Sequence, residues 1–474
     1  MFDKGSLRKL LSENYPLLGI LIGIVLVSVS IGPFKNGDTQ WEFQAASGVI
    51  KWGMPYVNTF GNIMDQPPLG FYVEALFFRV FGLSIDTGVV LVTLFGLGST
   101  IMVYTIGKVL YSKTTGLFAA LLFGFSPWQF VLSRSFLIDA QCLFLSLLCL
   151  FVGVIAIRKD SLKLSTVSGI IFAAALLTKL YAVFMLIPLL ILYVFYQPKN
   201  PKRTLSLLGA FFVPALIFAF LWYQVISGQG LLSIFSHGDL SNPNYSDVIP
   251  SYFFVITFLA DYGLGWSFIA AAAVSLLVCL FLRKQFSNIL LFDLTCLVII
   301  VAVVSLNTFL GAGLDLKSPY NNAVKFDYQI LPFFSLLAAS LVGKCRSLFN
   351  SSKLKSKLRK LPVLLFALAG LVLVGTSILF NMQSAHQLAL SDYLLFRVER
   401  SVEVGYSLFN PDPIGKNGFV MGVQYLGFAF ALSGLLWASR HKLWDALTPI
   451  RRWIEKKTAG SKEPTELKKK ISGA

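Results

Sequence analysis

Apolar runs of roughly 17–22 residues recur along the whole chain, and a helix rising about 1.5 Å per residue needs that length to cross a hydrocarbon core of about 30 Å. With 56% hydrophobic residues, 13% charged residues and a mean hydropathy of +0.72, the chain departs from the balance of a soluble domain. The bilayer is its solvent. In order, the runs predict spans near 16–32, 88–107, 114–132, 136–157, 164–179, 181–196, 204–226, 264–282, 289–309, 328–345, 361–380 and 419–438. One further segment, 68–83, is short, opens with Pro68 and carries Glu74 and Arg79, so it is either a thirteenth span or an interfacial helix.

Charge decides between the two, because cytoplasmic loops carry an excess of Lys and Arg and each added span flips every later loop. With 68–83 in the interface, the inner segments 1–15, 108–113, 158–163, 197–203, 283–288, 344–360 and 439–474 hold 30 of the 40 basic residues. With 68–83 as a span, the basic loops from 108 onward move outside. The interfacial reading is therefore preferred and both termini are expected in the cytoplasm. The net charge of +17 then reflects topology and the anionic inner leaflet, and no nucleic-acid partner is required. The domain reading is a membrane domain, 1–438, followed by a basic cytoplasmic tail, 439–474.

Fifteen of the 23 acidic residues fall on the outer side, among them Asp38, Glu42, Asp65, Glu74, Asp139, Asp239 and Asp327, which suits either outer-face chemistry or plain loop solubility. The five cysteines lie in or beside spans without metal-ligand spacing, and there are only three histidines, so redox and zinc chemistry are not expected. No cleavage site follows the first apolar run, which reads as a retained span. The outer loops 33–87 and 381–418 are too short for a soluble domain with its own core.

The first outer loop is the most informative stretch. It runs Asn36-Gly37-Asp38-Thr39-Gln40-Trp41-Glu42, then Trp52-Gly53-Met54-Pro55-Tyr56, then Asp65-Gln66-Pro67-Pro68-Leu69-Gly70-Phe71-Tyr72. An Asp just beyond the first span, an amphipathic helix, Gly-x-Pro-Tyr and Pro-Pro-Leu-Gly-x-Tyr in that order resemble the polyprenyl-phosphate-dependent membrane glycosyltransferases. Protein O-mannosyltransferase and the lipid A aminoarabinose transferase are the nearest members, and their shared fold is called GT-C. Arg134-Ser135-Phe136-Leu137-Ile138-Asp139 is similar to that family's Arg-x-x-x-x-Asp, Leu177-Thr178-Lys179 follows at the next outer turn, and Lys325 to Pro332 resembles its basic-aromatic Tyr-x-x-Pro start of a late span. The resemblance implies an all-α GT-C bundle of about 12–13 transmembrane helices with amphipathic juxtamembrane helices in the first outer loop.

One departure stands out. The bacterial branch carries Lys immediately before Pro-Pro-Leu, where this chain has Gln66, which leaves Lys325, Arg134 or Lys35 to supply the donor phosphate's cation.

The chemistry read from the residues agrees. A sugar leaving from a polyprenyl phosphate departs as a phosphate ester anion and needs little acid help, whereas the acceptor needs a base. One carboxylate suffices for inverting displacement. Asp38 is the candidate base, and Asp139 a second outer carboxylate that orients acceptor or cation. Arg134, Lys325 and Lys179 are the outer cations for the phosphate. Solvated pairing of Arg134 with Asp139 and of Lys325 with Asp327 is the bland alternative. Glu42, one helical turn from Asp38, either holds an acceptor or a divalent ion (Mg²⁺ or Mn²⁺) with Asp38 and Asp139, or merely solvates its helix. Trp41, Tyr56, Tyr72, Trp128 and Tyr328 suit sugar contact, although aromatic residues gather at interfaces in any case. His237, with Asp239, sits in a polar loop that is either a substrate-binding flap or a plain connection. Asp293, near a cytoplasmic helix end, can snorkel and is assigned no role.

The function expected is transfer of a hexosyl or pentosyl group from a dolichyl or undecaprenyl phosphate to a protein, lipid or glycan on the extracytoplasmic face. A transporter or flippase would place its ionisable groups at mid-membrane in two similar halves, which this chain does not clearly do. An inactive scaffold subunit is the third reading. The oligosaccharyltransferase branch fits less well, since neither a Trp-Trp-Asp signature nor its soluble C-terminal domain is present.

Overall fold

The computed structural model describes residues 14, 16–26, 28, 37–64, 66–196, 200–222, 266–312 and 328–351. The predicted spans 361–380 and 419–438, the loop 381–418 and the tail lie outside the described residues, as do Lys35, Asp65, His237 and Lys325.

Helices dominate what is described. They are α1 (Pro16–Leu26), α2 (Gly37–Trp52), α3 (Leu69–Phe81), α4 (Ile85–Leu110), α5 (Lys113–Gly124), α6 (Pro127–Arg134) and α7 (Asp139–Lys159). There follow α8 (Leu162–Thr178), a 3₁₀ segment (Leu180–Met185), α9 (Leu186–Phe195), α10 (Pro201–Phe220), α11 (Trp266–Phe281), α12 (Ser287–Ala312) and α13 (Leu331–Ser351). A two-residue antiparallel pair, β1 (Tyr56–Val57) with β2 (Asn62–Ile63), forms a hairpin after α2. By length and composition, α4, α7 and α10 can each cross a membrane, and α5 with α6 does so as a bent pair.

Local sequence sets the boundaries. Ser84, Ser112, Ser126, Ser161 and Asn200 each accept a backbone N–H three residues on, starting α4, α5, α6, α8 and α10. The single span expected over 114–132 is broken instead. The proline ring of Pro127 would meet the Phe123 carbonyl of a continuing helix and offers it no N–H. Ser126 donates to that carbonyl from both its N–H (3.2 Å) and its hydroxyl (3.1 Å), and the chain turns by 65°. At 13 residues, α3 spans only about 20 Å, too short to cross, which agrees with the interfacial reading of 68–83.

The antiparallel run of α4, α5, α7, α8 and α10 sorts charge to two ends. Lys108, Lys113, Arg158, Lys159, Lys163, Lys202 and Arg203 gather at one end, where Arg158 donates to the Val109 carbonyl (2.6 Å) and Arg203 to Asp160 (2.8 Å). Lipid offers no hydrophobic drive between helices, so close packing has to hold them. The α4–α5 contact shows how: a Cβ on Gly107 would stand 2.8 Å from the Gly116 Cα, so the two backbones touch only because both residues are glycine.

The expectation for Asp293 is overturned. Rather than snorkelling, it is fully buried between α12 and α13, joined to Lys344 by an ion pair and accepting from Tyr111 Oη (3.0 Å) and Ser340 Oγ (3.3 Å). Lys344, counted above with an inner loop, is also fully buried and donates to Ser275 O (2.7 Å), Ser275 Oγ (2.8 Å) and Ser340 Oγ (3.2 Å). A lone charge inside a lipid-embedded bundle is costly, and pairing across 51 residues of sequence offsets part of that cost.

Candidate active site

Opposite the basic end, α2, α3, the linker 135–138 and the outer ends of α7 and α8 converge. Aromatic packing brings them together: Phe78 of α3 meets Phe43 of α2 at 5.6 Å and Phe136 of the linker at 5.5 Å. The hairpin braces the pair of helices, for Gln44 Oε1 accepts from Thr59 N (3.1 Å), Trp41 packs on Phe60 (4.9 Å) and Tyr72 Oη donates to the Gly53 carbonyl (2.7 Å). Gly70 lets α3 lie directly on the linker, because a Cβ there would stand 2.6 Å from Ile138 Cγ2.

Asp38 occupies the first turn of α2 and is half-buried. Glu42, one turn on, is buried, not solvated, and its Oε2 accepts the N–H of Ile138 at 2.8 Å. Asp139 opens α7 and is also buried, and its Oδ2 accepts from Lys179 Nζ at 2.7 Å. The solvated Arg134–Asp139 pair considered above gives way to this one. Arg134 ends α6, is partly buried and feels the charge of Asp86. Asp38, Glu42, Asp139 and Lys179 therefore form one cluster.

Glu74 joins it from α3. Its side chain is buried, and its Oε2 has no hydrogen-bond partner among the described residues. Burial pushes the Glu42 carboxyl up to about 8; Lys179 pulls it down, Asp139 and Asp38 push it further up, and the Ile138 N–H pulls it down. Glu74 is raised well above its ordinary value by burial and then by the charge of Glu42. Among the described residues, Lys179 is the ammonium that lies among these carboxyls, and burial favours the neutral acids at Glu42 and Glu74. Among the described residues, no three or more His, Cys, Asp or Glu side chains converge to hold a metal.

A second polar group borders Asp139 from α6 and the turn 328–330 that leads into α13. Tyr328 donates to Gln129 Oε1 and packs on Trp128 at 5.7 Å, while Gln329 Nε2 donates to Cys142 Sγ (3.6 Å), one turn along α7 from Asp139. Trp128 is completely buried, so its ring is not open for stacking. Trp128 Nε1, Gln329 Oε1 and Gln66 Oε1 are buried without a hydrogen-bond partner among the described residues. Glu74 was counted among the outer acids but not singled out for the site, and Gln129 and Gln329 escaped the sequence reading. For Glu74 the one available signal was a carboxylate among the apolar residues of 68–83; for the glutamines there was none.

Comparison with known proteins shows what the chain resembles. Residues 65–223 match the family model of dolichyl-phosphate-mannose-protein mannosyltransferase. The putative mannosyltransferase YkcB of Bacillus subtilis (strain 168) is 24% identical over 156 residues, 32% of this chain and 22% of YkcB, so the matched part spans about a fifth of that relative's length. Among solved structures, apo ArnT from Cupriavidus metallidurans superposes with a TM-score of 0.55 at 16% identity, covering 92% of this chain and 80% of ArnT. ArnT bound to undecaprenyl phosphate gives 0.54 at 15% identity, covering 93% and 80%. The archaeal oligosaccharyltransferase AglB from Archaeoglobus fulgidus, in complex with an inhibitory peptide and a dolichol-phosphate, gives 0.50 at 13% identity, covering 87% of this chain and 64% of AglB. The GT-C resemblance carried by the motifs is borne out: the chain is a multi-helix membrane protein with the GT-C fold.

Proposed function

We propose that the chain transfers a sugar from a polyprenyl phosphate to an acceptor on the extracytoplasmic face, with inversion and with Asp38 as base. The observation that carries the reading is the carboxylate cluster at the end of the bundle opposite the basic loops. The mannosyltransferase family match over 65–223 and the likeness to ArnT with undecaprenyl phosphate support the donor class. By the positive-inside rule the basic end faces the cytoplasm, so the cluster faces outward.

In this mechanism an acceptor hydroxyl or amine gives its proton to Asp38 as it attacks the anomeric carbon, and the polyprenyl phosphate departs as its own anion. Asp38 suits the task through its place: it is half-buried at the open edge of the cluster, whereas Glu42 and Glu74 are sealed inside. Asp139, held by Lys179, orients the acceptor. With that ammonium committed to Asp139, the leaving phosphate is assigned to Arg134 at the end of α6, with Lys325 as the second cation that the sequence offers. Gln66, where the resembled bacterial branch would carry a lysine, offers a hydrogen bond without charge.

Membranes containing the native chain are to be offered radiolabelled monosaccharides on dolichyl and undecaprenyl phosphate. Transfer by the native chain that Asp38→Asn abolishes at equal expression is the expected result. Full activity in Asp38→Asn removes the assigned base, and no transfer from any donor removes the enzyme class.

A further inference from the structure

The start of α7, like those of α3 and α9, has no capping side chain of its own. Helices α4, α5, α6, α8 and α10 are capped by a Ser or Asn of their own, whereas the cap position before α7 is held by Ile138, an apolar residue with no capping side chain. The acceptor comes from 96 residues away: Glu42 Oε2 takes the Ile138 N–H at 2.8 Å. Ile138 is completely buried and pinned from its other side by Gly70, whose absent Cβ would sit 2.6 Å from its Cγ2. The next residue is Asp139. Glu42 itself stands one turn along α2 from Asp38, so this hydrogen bond ties the helix that carries Asp38 to the start of the helix that carries Asp139.

We infer that Glu42 is a positioning residue, gripping the N–H of Ile138 so that the first turn of α7, with Asp139, stays at a fixed distance from Asp38. The inference rests on the reading above in giving Asp38 and Asp139 the chemistry. It reassigns Glu42 from a ligand of substrate to a cross-helix cap. The groups facing it are Asp38 on its own helix, Glu74 on α3, Asp139 on α7 and Lys179 at the end of α8. Burial keeps its proton on at neutral pH, and the neutral acid still offers Ile138 an oxygen without adding a negative charge beside Asp139. Glutamine can do the same, since its amide oxygen accepts an N–H equally well.

Glu42→Gln and Glu42→Ala are to be compared in the purified full-length chain, by donor kinetics and by amide hydrogen exchange over 135–143. Loss of alignment between reacting groups costs about 10- to 100-fold, so Glu42→Ala is expected to lower kcat by that factor with donor KM little changed. Exchange over 135–143 quickens in the same variant, and Glu42→Gln restores both. Three results overturn the inference: native kcat in Glu42→Ala, a lost kcat with exchange unchanged, or Glu42→Gln as impaired as Glu42→Ala. If Glu42→Ala does not fold, Glu42→Gln carries the test, and its native exchange and kcat support the inference while loss of either overturns it. A native chain inactive toward every donor removes the glycosyltransferase reading, and the exchange measurement, which needs no substrate, then decides the positioning role.

Discussion

The molecule buries an Asp–Lys ion pair at each end of its bundle, and the two are built to opposite specifications. At the basic end, Asp293 and Lys344 are sealed at zero exposure, one charge against one, with Tyr111, Ser275 and Ser340 completing their hydrogen bonds. At the other end, Asp139 and Lys179 sit among further carboxyls, Asp38, Glu42 and Glu74, and Glu74 keeps an oxygen without a partner among the described residues. A balanced pair has nothing left to offer a ligand; it joins helices. An unbalanced one has spare charge and spare protons, which are what proton transfer requires. Burial of charge alone would not have told the two apart.

The largest effect should come from the unbalanced end. Asp38→Asn removes a general base, an effect worth about 10²- to 10⁴-fold in rate, and transfer assays should show a loss of that size with stability unchanged. At the balanced end the order reverses. Lys344→Met strands a buried carboxylate and should cost about 3–5 kcal/mol in unfolding measurements, whereas pairing it with Asp293→Asn should recover most of the loss. Equal stability of the single and double variants would break the distinction.

Lys179→Met tests the same distinction at the outer end, where neighbouring carboxyls can take up protons when the cation goes. Its stability cost should fall below that of Lys344→Met, while transfer drops sharply; denaturation and turnover measured on one preparation separate the two. Gly70→Ala drives a Cβ into Ile138 and should cost about 1–3 kcal/mol, with loosened exchange over 135–143.

The smallest effect is a pH slope. Glu42 is raised from 4.5 to about 8, so between those values the folded chain holds a proton that the unfolded chain has lost. Stability from this group is complete below 4.5 and is lost as pH rises through about 8. Glu42→Gln should flatten that part of the melting-temperature profile, and an unchanged slope would mean the carboxyl is already ionised.

Much of this was legible in the sequence. Run length and basic-loop bias identified a polytopic membrane fold, and the Asp38, Arg134–Asp139 and Thr178–Lys179 motifs named most of the outer cluster. Periodicity hid the break at Ser126–Pro127, because apolar residues continue through it, although Ser-Pro is itself a start signal for a new helix. The pairings were hidden for another reason. Asp139 finds Lys179 40 residues on, and Asp293 finds Lys344 51 residues on, distances at which one chain carries no mark of contact. Glu74 looked like the polar face of an interfacial helix, and only the packing of α3 on the linker shows it turned inward.

The most direct test of the account sets the two ends against each other in one assay. Sugar transfer from a polyprenyl-phosphate donor is to be measured, per folded molecule, for the native chain, Asp38→Asn and the Asp293→Asn/Lys344→Met double variant. The account predicts transfer lost in Asp38→Asn and retained in the double variant. Transfer retained in Asp38→Asn and lost in the double variant would place the chemistry at the wrong end of the bundle.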